Sequence, residues 1–228
     1  MARVDMTLNP LVLFNLEFAG KTKIDLTHSD TLLTDICWDS SARTLSDLQA
    51  RYLELREINT GFHMAPAEKW IQSKVVAPLR QAMANYILSN YLSTIALCGM
   101  AAEMIAMLIY DMLHELRESI PEVDRSKLIP FAQFERKGQK GRVDHIMRMQ
   151  CIPINLRVPF DTVREVRRSY LHFYTKDISD LKRDALKCYR ACCVLVSSIL
   201  PHHFTGQGFQ LSPALLEYLK KKGIARDE

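Results

Sequence analysis

Apolar positions recur along most of this chain at intervals of three and four, the period of an α-helix with one face turned inward. Leu48, Tyr52, Leu55 and Ile58 form one such stripe, ending at Gly61, and Ser46 with Gln49 has the spacing of a capping box. The pattern predicts a first helix over 46–59. A much longer helical stretch starts near Pro66 and reaches about residue 119. Pro78 is expected to kink or divide it, because proline has no amide hydrogen and its ring crowds the preceding turn. Ser89 with Asn90 offers a second break, and Pro121 ends the stretch. Inside it, Leu92 to Tyr110 reads LSTIALCGMAAEMIAMLIY, with Glu103 its one charge. The length is that of a membrane span, but a carboxylate at the centre would be costly in lipid, so no span is expected. Ala96, Gly99, Ala102 and Ala106 are small enough to let neighbours approach closely, and a buried central helix is the expectation.

The pattern loosens over 121–157, where RKGQKGR at 136–142 reads as a basic loop and Val143, Ile146 and Met149 as a short helix. Val163, Val166, Tyr170 and Phe173 then mark an amphipathic helix in PFDTVREVRRSYLHFYTKD, at 159–177. DLKRDALKCYRACCVLVSSIL predicts another helix, running to Pro201. SPALLEYLKKKG at 212–223 predicts a last short one, with Pro213 near its start and Gly223 past its end. Residues 1–44 mix short apolar runs with turn residues. The expected fold is all-α: a helical bundle around long antiparallel helices with a less regular N-terminal arm. The arm covers 1–44, a helical domain 45–204 and a C-terminal helical extension 205–228.

Composition narrows the chemistry. Hydrophobic residues make up 48% and charged residues 25%, which argues against disorder, and only eight glycines leave little room for a turn-rich β fold. A net charge of +4 permits nucleic-acid contact without requiring it; a local basic patch matters more. The six cysteines show no CxxC pairing, and the start of the chain shows no recognisable secretory signal. Reduced thiols in a cytoplasmic protein are therefore expected. Cys188, Cys192 and Cys193 precede His202 and His203, but the cysteines sit in a hydrophobic helix without zinc spacing, so no metal and no cofactor are expected. Walker loops, dinucleotide fingerprints, nucleophile elbows and HExxH are all missing from the sequence.

Two stretches, YILSNYLSTIALCGMAAEMIAMLIYDML and VREVRRSYLHFY, together resemble the HEPN superfamily of helical, RNA-associated domains. The first is similar to the long helix of a bacterial branch, where small residues precede a Glu and a hydrophobic run. The second is similar to the superfamily motif of an Arg, four to six residues, and a His, here Arg167 and His172. The resemblance covers roughly 65–200. It implies a metal-independent endoribonuclease in a toxin or phage-defence setting, working as a homodimer, with RNA and a partner protein as its ligands. It further implies Arg167 binding the scissile phosphate and His172 taking part in proton transfer. That chemistry is reasonable, since RNA supplies its own 2′-hydroxyl nucleophile, histidine exchanges protons near neutral pH, and a guanidinium offsets charge growing on phosphate. The alternative is a non-catalytic helical interaction or dimerisation module.

The chain departs from the family pattern after the Arg, where Arg168 stands in place of a small polar residue. On an ideal helix Arg167 and His172 lie about 140° apart, whereas Arg168 and His172 differ by about 40°. Either the helix ends or distorts before His172, or Arg168 is its true neighbour. Arg167 also falls beside Val163, Tyr170 and Tyr174, where it needs a buried partner; Glu103, alone in an apolar helix, needs one too. A structural Glu103–Arg167 pair therefore stands beside the phosphate role. Arg168 and Glu103 are expected to support the site, and Lys137, Lys140 and Arg142 to give salt-dependent phosphate contacts from a flexible loop. The plainer reading of the loop, and of the face carrying Asp161, Glu165, Arg168 and His172, is solvated surface laced with local ion pairs.

Overall fold

The computed structural model describes residues 44–56, 58, 69–117, 125–149, 153–172, 177–200, 202–205, 208–211 and 213–223. The arm at 1–43 and the end of the apolar stripe at Phe173 lie outside them.

Helix α1 (Leu45–Arg56) starts at a capping box two residues earlier than Ser46 and Gln49 propose. Thr44 Oγ1 accepts the Asp47 amide at 3.2 Å, and Asp47 Oδ2 accepts the Thr44 amide at 3.1 Å. The reciprocal bonds satisfy donors that a helix start otherwise leaves open. Buried Arg51 docks α1 onto the next helix by donating from Nε to the Ile87 carbonyl at 2.7 Å.

Pro78 acts one turn upstream of itself. A short turn (Lys69–Ile71) widens into a π-helical turn (Gln72–Val76), in which the Ala77 amide reaches five residues back to Gln72 O, before α2 (Ala77–Ile87) begins. The wide turn accommodates a residue with no N–H to offer the carbonyl four positions earlier. The second expected break is also present: Ser89 takes φ 64°, and α3 (Tyr91–Glu115) starts beyond Asn90.

Helix α3 is the axis of the fold, packed against α2, α6 (Arg157–Leu171) and α7 (Leu181–Ile199). It is long and apolar enough to cross a membrane, and 61% of its apolar window is buried inside the fold. Of the four small residues expected to admit close neighbours, Gly99, Ala102 and Ala106 are buried and Ala96 is half-buried. On its far side Tyr110 stacks on Phe134 of α4 (Phe131–Glu135), with centroids 3.8 Å apart. Its hydroxyl donates to Ile129 O at 2.6 Å and accepts the Ile129 amide at 2.9 Å.

The stretch expected to be a basic loop is instead half helical, because α5 runs over Gln139–Arg148 and so includes Lys140, Gly141 and Arg142. Burial of Val143, Ile146 and Met147 holds this helix against α3 and α6 and carries it through Gly141. The C-terminal extension is not wholly helical. Strands β1 (His202–Thr205) and β2 (Gly208–Leu211) pair antiparallel, His202 opposite Leu211, before α8 (Pro213–Lys221) packs on α3. The rest of the described chain is helix and connecting turn, an all-α fold.

Candidate functional site

Where the middle of α3, the start of α5 and the second half of α6 meet, they enclose an open cleft of about 420 Å³. Glu103 comes from α3, Lys140 from α5, and Arg164, Arg167, Arg168 and His172 from α6 and its end. Four of the six are permanent cations and one is a carboxylate, so the cleft is electropositive. Backbone from Gly138 to Gly141 forms one wall. Gly138 begins α5 with no side chain capping it, and the first amides of a helix carry the positive end of its dipole.

The end of α6 settles the angular problem posed by Arg167 and His172. The helix stops at Leu171, and His172 is its C-cap at φ −126°, ψ −13°, still donating its amide to Arg168 O at 3.2 Å. Leaving helical geometry there brings Arg167, Arg168 and His172 to one cleft, so neither arginine excludes the other. His172 is exposed at the rim.

Arg167 reaches from α6 to Glu103, donating from Nη1 to Oε1, and the expected structural pair is present. It is not a private pair. Arg142 Nη1 stands 3.5 Å from Glu103 Oε2, while its Nη2 donates to the Glu135 carbonyl at 2.8 Å. Side-chain exposure is 24% for Glu103, 30% for Arg167 and 14% for Arg142. One half-sequestered carboxylate thus bridges two guanidiniums. Arg142, expected in a solvated loop, is turned inward; Lys140 alone of the three expected loop cations lines the cleft, and Lys137 does not.

Arg164 is the cleft cation that the sequence reading passed over. It lies one turn before Arg167 and Arg168, and pairs with Asp161 at 3.2 Å and Glu165 at 3.3 Å. The local ion pairs expected on this face therefore converge on Arg164 and Arg157, which meets Asp161 at 3.3 Å. The side-chain amide nitrogen of Gln139 and the Nε atoms of Arg142, Arg164 and Arg167 are buried with no hydrogen-bond partner. Buried donors without acceptors are costly.

The described cysteines form a separate, buried feature. Burial pushes the Cys98 thiol well above its ordinary range, reinforced by hydrogen bonds with Cys188 and Cys192, and burial pushes Cys193 up to about 12. Cys98 and Cys193 are thiols rather than reactive thiolates. Among the described residues no three His, Cys, Asp or Glu side chains are grouped to hold a metal ion.

Fold and site define a class: an all-α protein with a cationic cleft beside its central helix. No family model, curated protein or solved structure matches the chain.

Proposed function

We propose that the chain is a HEPN-like RNA-associated protein acting as a metal-independent endoribonuclease in the cytoplasm, in a toxin or phage-defence setting. The observation that supports it most is the convergence of Arg167, Arg168 and His172 on one solvent-open cleft with Lys140 and Arg164. In this reading a phosphodiester lies against the arginines, held by bidentate, charge-assisted hydrogen bonds. The ribose 2′-oxygen loses its proton to a histidine and attacks the adjacent phosphorus. The bond to the 5′-oxygen breaks, that oxygen is protonated as it leaves, and a cyclic phosphate and a 5′-hydroxyl end result. The arginines offset the charge that grows on the non-bridging oxygens.

Two proton transfers are needed, and the cleft offers one histidine. A homodimer that brings a second copy's His172 to the same phosphate supplies the other group, which is the mechanistic reason to propose dimerisation. A partner protein is the natural means of holding such an activity in check.

A second reading has its own support. Arg167 is engaged by Glu103, as it would be in a non-catalytic interaction or dimerisation module whose motif serves packing. One experiment separates them: cleavage of varied RNAs with chelator present, comparing the unaltered chain with His172→Ala. The enzyme reading expects cleavage that survives the chelator and largely disappears in a folded His172→Ala protein. Cleavage by neither protein favours the interaction module, and undiminished cleavage by His172→Ala removes the proton-transfer role.

A further inference from the structure

We infer that Gly99 is a positioning residue, whose missing side chain leaves the notch in α3 that seats Arg167 across that helix and presents its guanidinium to the cleft. The inference rests on the proposed function for its consequence, though not for its geometry. Gly99 is buried in the interior of a 25-residue helix, and its φ is not in the left-handed region, so the backbone does not demand glycine there. Glycine in a helix interior is disfavoured relative to alanine. Some contact must therefore need the space.

That contact is a single side chain. A Cβ built on Gly99 would fall on Arg167 Cδ, and it would stand 3.0 Å from Nε and 3.4 Å from Cγ; these are its three nearest neighbours. Glu103, which receives the Arg167 guanidinium, is four residues further along α3 and so on the same face. The helix thus carries a notch for the stem of Arg167 and, one turn on, a carboxylate for its head. A long side chain with many rotamers is held by both ends of its reach.

The neighbour in the way is flexible, so adding a methyl group should displace Arg167 rather than the helix. Gly99→Ala should then still fold but melt somewhat lower than the unaltered chain, because the gain from alanine in a helix is smaller than the loss of the Arg167–Glu103 pair. It should also lower kcat/KM for RNA cleavage on the order of 10²-fold, the scale of a misplaced catalytic group. Because Gly99 acts through Arg167, the same change in an Arg167→Ala background should cost no further cleavage. Wild-type cleavage by Gly99→Ala, or an equal further loss in the Arg167→Ala background, would overturn the inference. A chain that cleaves no RNA would sink the functional reading alone, and melting then decides the positioning. The change in melting temperature caused by Gly99→Ala must be more favourable by several degrees when Arg167 is already alanine, and equal shifts in the two backgrounds refute it.

Discussion

The Glu103 carboxylate with its two guanidiniums makes a quantitative prediction about stability. Breaking a fully buried ion pair costs roughly 3–5 kcal/mol, while an exposed pair is worth about 0–1 kcal/mol. Glu103 and Arg167 are about a quarter and a third exposed, which places Arg167→Ala between these limits. Arg142 lowers the figure further, because at 3.5 Å it still faces the carboxylate after Arg167 is gone. A loss of about 1–3 kcal/mol follows, or roughly 3–10 °C in melting temperature for a chain of this size. Arg142→Ala should cost at least as much, since it also leaves the Glu135 carbonyl without its donor.

The informative measurement is the double variant. Each arginine covers for the other, so removing both strands the carboxylate, and the combined loss should exceed the sum of the single losses by about 1 kcal/mol. Adding Glu103→Gln to the double variant should recover much of that excess, because a neutral amide is cheaper to bury unpaired. Urea unfolding of the singles, the double and the triple at one pH and salt concentration measures all the terms. Additivity within about 0.3 kcal/mol, or no recovery from Glu103→Gln, would show that the three groups are not one cluster.

Other parts of the molecule give simpler tests. Desolvation, followed by Lys137 and Arg148, lowers the His145 pKa, and a histidine depressed on folding contributes stability that is present above its unfolded value near 6.5 and lost as pH falls through the folded one; His145→Gln should flatten the acid limb of a stability–pH curve, and an unchanged limb would assign it elsewhere. Tyr110→Phe deprives the Ile129 amide and carbonyl of their shared partner and should cost about 1–3 kcal/mol in denaturant unfolding. Thr44→Ala removes one half of the capping box and should cost about 1 kcal/mol, read in the same way. Lys140→Ala should leave stability nearly unchanged while lowering the salt dependence of RNA binding by about one unit of slope.

Much of the fold was legible because it depends on local rules. A nearly uncharged stretch with small residues at close spacing points to a mostly buried helix, Pro78 to a disturbed ladder before it, and Ser89 with Asn90 to a break in the long run. The pairing of Glu103 with Arg167 was legible for the same reason: each was the one charge on an apolar surface. What escaped was decided by tertiary contact. Two glycines in RKGQKGR read as a loop, but Val143, Ile146 and Met147 pack well enough to carry α5 back through Gly141 and turn Arg142 inward. Arg164 was hidden among the charges of its own helix face, although its spacing of three from Arg167 and four from Arg168 puts all three within one turn. The hairpin at 202–211 had no alternating pattern to announce it.

The ion pair and the phosphate role were set against each other in the sequence, and the geometry makes them compatible. A guanidinium carries five donor hydrogens in a fixed plane, and Glu103 is bonded to one of its nitrogens, Nη1. The carboxylate offsets the desolvation of a half-buried cation and holds the plane in one orientation, which an isolated arginine on a solvated helix would not keep. Arg167 still lines the cleft from that position, with Arg164 one turn before it, Arg168 beside it and Lys140 across from it. Four cations and one carboxylate line the cleft, and with Arg164 also paired to Asp161 and Glu165 and Arg167 to Glu103, an anion entering it shares cations that are already partnered. Glu103 acts in this arrangement as the group that fixes where an arginine points, so under the proposed function Glu103→Gln should lower RNA cleavage even though it adds to the positive charge that attracts an anion.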